Sequence, residues 1–291
     1  IAKRIEAGKD IMLNALAQSP ITAKKIFVWD EKIANNEILV REIIDIDTNY
    51  IDADNTEGSD AEISKIEKKI SKKDKAVKDK DVKDTKAEDN KDEASKEVTE
   101  EDEFNLSLAA MENEIKPKVL KTIANLKKSY SKLIKYQTEK LDAILNSETF
   151  STSKEKNYKK LVNEIVTKIK TLQLSPSVLE QLVQSHYVES KKILSLEGIL
   201  LRLAQENNIS RSEFVKFYVG NEINPNLKKF LNESKKWKNF FEKNKSEFSD
   251  IRDRLVELSK KLSIPVGDYK KIVNRIRKGE KESRLAKKEM V

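Results

Sequence analysis

Residues 119–145 read VLKTIANLKKSYSKLIKYQTEKLDAIL, and this stretch decides the fold class. Large side chains recur in it every three or four residues, a spacing that places them on one face of an α-helix. This stripe consists of Val119, Ile123, Leu126, Tyr130, Leu133, Gln137 and Ile144. The pattern predicts a long amphipathic helix, and we expect Pro117 to bend it because proline removes a helical hydrogen bond.

Downstream of this stretch, serine, proline and glycine mark where further helices begin and end. Ser175 precedes Pro176, which places a capping side chain before a proline at the first helical position. Ser210 is a second predicted cap, and Gly220 is a predicted left-handed terminator of the same helix. The aromatic residues between positions 214 and 248 have helical spacing, which favours a bundle core over a base-stacking surface.

The first 51 residues carry three short helical patterns. These patterns cover residues 1–16, 26–33 and 38–46. Pro20 separates the first from the second, because proline cannot continue a helix. Each pattern is too short to be stable alone, so we expect all three to pack against other helices.

Residues 52–103 differ from the rest of the chain in composition. Within them, residues 71–103 contain nine Lys against thirteen Asp and Glu, with few large apolar side chains. Such a stretch cannot bury enough apolar surface to offset the backbone ordering entropy of about 1–2 kcal/mol per residue. We therefore expect residues 52–103 to form a mostly disordered charged linker or a frayed helix.

The overall composition narrows the class of protein. Of the 291 residues, 37% are hydrophobic and 37% are charged, and no apolar run approaches the roughly 20 residues of a membrane-spanning helix. Six Gly and five Pro are too few for a loop-rich β fold. The composition predicts a cytoplasmic all-α protein, an irregular helical bundle with a disordered charged insertion.

Side chains that carry catalysis are scarce. The chain has no Cys, which excludes thiolate nucleophiles and thiolate metal sites, and His186 has no second His with which to share a metal ion. The glycines are too far apart for a phosphate-binding loop, and no Ser occupies a Gly-x-Ser-x-Gly setting. We expect a protein that is not an enzyme, with no cofactor and no metal. His186 is predicted to be an ordinary helix-surface or partly buried residue.

Positive charge is concentrated near the C-terminus. Residues 252–291 contain thirteen Lys and Arg against six Asp and Glu, a net charge of +7 out of +8 for the whole chain. The candidate phosphate-contacting cations are Arg275, Arg277, Lys278, Arg284, Lys287 and Lys288. We expect them on two short helices separated by Gly279. Charge alone supports nucleic-acid proximity and a plain solvated surface equally.

Three short strings, at the two ends and in the middle of the chain, carry a family resemblance. Residues 275–291, RIRKGEKESRLAKKEMV, resemble the beginning of conserved region 2 in a primary (housekeeping) sigma factor of bacterial RNA polymerase, of the sigma-70 family. Residues 1–6, IAKRIE, resemble the end of region 1.2 in that family. Residues 217–222, FYVGNE, are similar to a Gly-Asn-Glu element of its long helical insert. The RLAKKEMV tail is the most specific of the three.

The resemblance implies that the chain is a fragment of such a factor. Residues 1–51 would be the end of region 1.2 and the first helices of the insert, and residues 52–103 would be the linker. Residues 104–274 would be the helical body of the non-conserved insert, and residues 275–291 would be the start of region 2.1. Within the family this insert packs beside the promoter-reading helices and faces the β′ subunit.

The resemblance also implies a role in transcription initiation. The fragment would associate with the RNA polymerase core and influence promoter recognition and escape. Lys3 and Arg4 then join the six C-terminal cations as residues close to DNA or polymerase. The fragment alone is expected to bind promoter DNA weakly, because it has phosphate-directed cations and no evident base-reading groups. The alternative is a self-associating helical or coiled-coil protein, based on the stripe in residues 119–144.

Overall fold

The prediction of an all-α fold is confirmed. A computed structural model describes residues 2–46, 48–49, 100–225 and 235–289, and for residues 100–108 it describes the backbone alone. The helices are α1 (Ala2–Leu16), α2 (Pro20–Ala34), α3 (Glu100–Leu145), α4 (Thr152–Thr171), α5 (Pro176–Glu206), α6 (Arg211–Tyr218), α7 (Lys235–Lys243), α8 (Lys245–Leu262) and α9 (Val266–Lys288). A 3-10 turn covers Val40–Glu42, and the described residues contain no strand.

The chain forms two compact units. One consists of Ile1–Ile44 with Lys118–Val291, and the other consists of Asp45–Pro117. The predicted linker, residues 52–103, lies outside the described residues up to position 99, and its last four positions open α3. The contacts that follow all lie within the first unit.

The stripe that predicted α3 is the face that the protein buries. Its fully or almost fully buried members are Val119, Ile123, Leu126, Tyr130, Leu133 and Gln137. Beyond Gln137 the buried face continues to Leu141, whereas Ile144 is half-buried. Gln137 fits this face because its side-chain amide donates to the Gln18 carbonyl at 2.8 Å and to the Tyr158 hydroxyl at 3.2 Å.

Helix ends follow the predicted capping residues. The Ser175 side chain accepts a hydrogen bond from the Val178 amide, with Pro176 at the start of α5. Ser210 and Glu213 form a capping box at the start of α6. Gly220 follows that helix with a positive φ of 93°. Ser175 and Ser210 thus set where α5 and α6 begin, and Gly220 lies in the turn that follows the extended residue Val219 after α6.

The predicted third helix in residues 38–46 was wrong. Between residues 38 and 44 the backbone forms a single 3-10 turn, and Ile44 makes an isolated antiparallel bridge to Leu174. The carbonyl of Ile43 accepts a hydrogen bond from the Ser175 amide at 2.9 Å. Local hydrogen bonds among residues 39–44 close this turn, the loop before α5 satisfies the Ile43 carbonyl, and the side chains of Ile43 and Ile44 are buried.

Most of the described aromatic residues between positions 214 and 248 form core, as predicted. Phe214, Trp237, Phe240 and Phe248 are buried, with 9% exposure at most. The rings of Trp237 and Phe240 meet edge to face at 5.8 Å, and those of Phe240 and Phe248 do so at 6.2 Å. This geometry suits aromatic packing inside a bundle, and it removes these faces from contact with nucleic-acid bases.

Candidate nucleic-acid interface

Two glycines allow α1 and α9 to pack antiparallel at very short range. A Cβ atom on Gly279 would lie 2.6 Å from the Gly8 carbonyl oxygen and 2.8 Å from the Met12 amide nitrogen. A Cβ atom on Gly8 would meet the Gly279 carbonyl oxygen at 2.8 Å. No side chain larger than hydrogen fits at either position without a shift of backbone. The contact brings the two basic ends of the sequence together.

The predicted break at Gly279 was wrong. Helix α9 runs without interruption through Val266–Lys288, and Gly279 is one of its buried positions. A glycine inside a helix lowers helical stability by about 1 kcal/mol relative to alanine, so its presence needs another reason. The close contact with Gly8 supplies that reason, because the glycine serves helix packing.

Polar contacts fix the ends of the α1–α9 pair. The Arg4 guanidinium donates to Glu289 Oε2 at 2.5 Å, and the Ser283 hydroxyl donates to the Ile5 carbonyl at 3.3 Å. The Arg275 guanidinium reaches Gln18 Oε1 at 3.4 Å. The Arg4 pair is about half exposed on both sides, so it stabilises the fold little. Arg4 and Arg275 thus have partners inside the protein, while Lys3 is exposed on α1.

Four cations form one exposed row on α9, which we name the cation stripe: Arg277, Lys281, Arg284 and Lys288. Their spacing of four, three and four residues places them on the same helix face. Lys278 and Lys287 are also exposed and lie to either side of this row. Sequence reasoning missed Lys281, although the same helical spacing would have found it.

Arg277 is held in place by an aromatic neighbour on α5. Its guanidinium carbon lies 5.6 Å from the ring centroid of Tyr187, within the range of a cation–π contact. The Tyr187 hydroxyl donates a short hydrogen bond to Glu280. Burial raises the pKa of Tyr187, and the contact with Glu280 raises it further. Tyr187 therefore stays neutral and orients Arg277 at the start of the cation stripe.

The cation stripe has the chemistry of a phosphate-contacting surface. Residues 266–288 of α9 carry nine Lys and Arg against three Asp and Glu, so positive charge dominates the helix. Exposed lysine and arginine bind phosphate oxygens and release counterions, and they do so without reading bases. The surface can therefore hold and orient a polyanion, and it offers no evident sequence specificity.

A buried ion cluster attaches the Gly-Asn-Glu element to the same helix. Lys270 Nζ lies 2.7 Å from Glu197 Oε1 and 3.0 Å from Glu222 Oε1. The other oxygen of Glu222 accepts from the Gly220 amide at 3.0 Å, and Glu222 is only 3% exposed. Burial lowers the pKa of Lys270, but the two carboxylates outweigh that effect and raise it overall. Sequence reasoning missed this cluster because its members are far apart in the chain.

His186 is buried completely, so the prediction of a surface or partly buried residue was wrong. Its Nδ1 donates to the Leu182 carbonyl at 2.6 Å, and its Nε2 lies 2.6 Å from the Ser19 hydroxyl. The Ser19 oxygen in turn caps α2 by accepting from the Ile21 amide. Burial lowers the pKa of His186 to about 4, which keeps the ring neutral. Within the part of the chain that the structure describes, no group of His, Cys, Asp and Glu could hold a metal ion.

The sigma-70 non-essential region model matches residues 20–259, more than four fifths of the chain. The chain belongs to the sigma-70 non-essential region family. Proteins of the sigma-70 family are regulatory factors of transcription initiation that associate with RNA polymerase. The match covers helices α2 to α7 and most of α8.

Both halves of the candidate interface lie outside the residues that match the sigma-70 non-essential region. Lys3, Arg4 and the six C-terminal cations all lie outside residues 20–259. The interface is thus built by segments that flank the matched region and that pack against each other through Gly8 and Gly279. None of the described helices has both the length and the apolar character to cross a bilayer.

Proposed function

We propose that this chain is part of a primary sigma factor and that it acts in promoter recognition and escape. In this proposal residues 1–51 are the end of region 1.2 and the first helices of the insert, residues 104–274 are the helical body of the insert, and residues 275–291 open region 2.1. Residues 52–103 are a charged linker that joins residues 1–51 to residues 104–274. The proposed factor acts in the cytoplasm, where transcription takes place.

The observation that carries the proposal is the packing of α1 along α9. An insert between two segments of one domain is tolerated most readily when its ends lie close together, which keeps the flanking segments in contact. The glycine contact between Gly8 and Gly279 fits this arrangement, because the segments before and after the matched region approach so closely there that a Cβ atom on either glycine would clash. The buried cluster around Lys270 holds the insert to the same helix.

The cation stripe is the surface that we propose faces the polymerase core and the promoter. Its members are exposed, lie on one helix face and have phosphate-directed chemistry. The β′ subunit is the proposed protein partner. DNA binding by this chain alone is expected to be weak, with a Kd of about 1–100 µM at physiological salt, which is typical of nonspecific binding.

The coiled-coil alternative has no specific observation in its favour. The stripe on α3 that suggested it is buried within the chain, so it offers no open seam to a second copy.

A crosslinking experiment tests the proposal. A photoreactive amino acid at Leu285, which is 40% exposed beside the cation stripe, should crosslink to β′ when the chain is mixed with core polymerase and a promoter duplex. The matched control is the same residue at Ile199 on α5, which is 44% exposed and outside the cation stripe. Equal crosslinking from both positions, or none from Leu285, would contradict the proposed orientation.

A further inference from the structure

An open groove runs along α5, and it is formed by helices other than α1 and α9. Its larger part, about 790 Å³, lies between residues 188–196 of α5 and residues 254–261 of α8. A second part, about 480 Å³, extends along residues 21–28 of α2. Val188 and Lys261 line both parts, so the two adjoin. The groove follows α5 for three helical turns, about 16 Å at 1.5 Å per residue.

The floor of the groove is apolar. It is formed by Ile21, Val28, Val188, Leu196, Leu258 and Leu262. Val28 is 43% exposed and Val188 is 49% exposed, although both are branched apolar side chains. A contiguous apolar surface with a polar rim is a mark of a binding site, whereas single exposed apolar residues are ordinary.

The rim of the groove is strongly basic. Its exposed cations are Lys24, Lys25, Lys191, Lys192, Arg254 and Lys261. Two carboxylates line the same groove, Glu189 and Glu257, and Glu189 is already paired with Lys192 at 2.8 Å. Lys24 donates to a neutral acceptor, the backbone carbonyl of Lys261. The rim therefore has a large excess of positive charge over an apolar floor.

We propose that this groove binds an acidic amphipathic helix of a partner protein. A helix of about three turns presents apolar side chains at positions i, i+4, i+7 and i+11 to such a floor. Its flanking carboxylates would meet the lysines of the rim, which gives the interaction its specificity. Duplex DNA has charge of the right sign but no apolar face for the floor, so the groove fits a protein helix better.

The first experiment measures binding of a designed peptide to the intact chain by fluorescence anisotropy. The peptide is a helix of about 15 residues, with leucines at i, i+4, i+7 and i+11 and glutamates flanking them. A control peptide of the same composition has its leucines spread around the helix. We expect a Kd of roughly 10 µM for the first peptide and binding at least about tenfold weaker for the second. Equal affinity for the two peptides would overturn the proposal.

A charge swap then locates the site. The variant Lys191→Glu/Lys261→Glu should bind the acidic peptide at least about tenfold more weakly and should bind a peptide with lysines in place of the glutamates. Val188→Asp, at an exposed position of the floor, should weaken both peptides. The matched control, Lys128→Glu/Lys160→Glu, changes two exposed lysines on α3 and α4 and should leave the affinity unchanged.

Two outcomes would overturn the proposal at this stage. One is peptide binding that the charge swap does not alter. The other is that a short DNA duplex displaces the peptide from the chain and binds the charge-swap variant more weakly. That result would assign the groove to a polyanion. Circular dichroism of each variant checks that the helical fold is retained.

Discussion

The two halves of α9 have opposite relationships with the rest of the protein. In residues 266–276 the buried positions are apolar or aromatic, and the Tyr269 hydroxyl donates to the His186 carbonyl at 3.0 Å. In residues 277–288 the buried positions among the described residues are Gly279 and Ala286, and the other faces carry exposed cations. In the first half Lys270 is paired inside the protein, whereas in the second half the cations are exposed to solvent.

This contrast shows that one helix can anchor a fold at one end and present a binding surface at the other. Lys270 has two carboxylate partners and is buried enough for them to matter, whereas the exposed cation stripe has none comparable. Substitution of Lys270 in the first half should therefore change the free energy of unfolding and leave DNA affinity alone. Substitution of the exposed cations in the second half should do the reverse.

The largest expected effect comes from Lys270→Met. This change leaves the carboxylates of Glu197 and Glu222 buried without their cation, and breaking such a cluster lowers the free energy of unfolding by about 4 kcal/mol. The neighbouring control is Lys271→Met, whose exposed pair with Asp268 contributes less than about 0.5 kcal/mol. Urea denaturation measures both variants. Similar stabilities for the two would show that the anchoring role of Lys270 is wrong.

The second effect depends on pH and on His186. The folded ring, with a pKa of about 4, stays neutral while the unfolded ring takes up a proton below about pH 6.5. The unfolded state therefore binds more protons between these values, and stability is lost as pH falls, by about 3 kcal/mol between pH 7 and pH 4.

The control for this prediction is His186→Gln, measured by urea denaturation at the same pH values. Acidic residues titrate in both proteins, so the difference between the two pH profiles isolates the histidine. The loss of stability on acidification should be smaller in the variant by about 3 kcal/mol. Parallel profiles would contradict the burial of a neutral ring behind the Ser19 cap.

The third effect tests the junction between the two halves of α9. Gly279→Ala places a Cβ atom against the backbone of α1, and such overpacking should lower the free energy of unfolding by about 2 kcal/mol. Gly198→Ala is the matched control, because a Cβ there meets nothing within 4 Å and should raise helix stability by about 1 kcal/mol. Differential scanning calorimetry of the two variants checks the opposite signs.

Local signals in the sequence were enough to predict the helices and many of their ends. The stripe in residues 119–145 and the Ser175 and Ser210 caps each depend on side chains within a few positions of one another. Residues 38–46 show where such signals fail, because the local hydrogen bonds of residues 39–44 close only a short 3-10 turn, and the Ile43 carbonyl accepts from Ser175 in the loop before α5.

The candidate interface needed information that local patterns do not contain. Gly279 looked like a helix break because its packing partner, Gly8, is 271 positions away in the chain. Likewise, nothing near Lys270 in sequence indicates that it pairs with Glu197 and Glu222. The exposed cations were found from charge alone, but their alignment into one row follows from the unbroken helix.

The most direct test of the account is the salt dependence of DNA binding when the cation stripe is neutralised. For Arg277→Gln/Lys281→Gln/Arg284→Gln/Lys288→Gln, the slope of log K against log salt concentration should become shallower by about 3.6, which is about 0.9 for each of the four lost phosphate contacts. A control with four exposed lysines on α3 and α4 replaced, Lys121→Gln/Lys128→Gln/Lys135→Gln/Lys160→Gln, should keep the original slope. An unchanged slope in the first variant, or an equal change in both, would contradict the claim that α9 presents its charge to DNA.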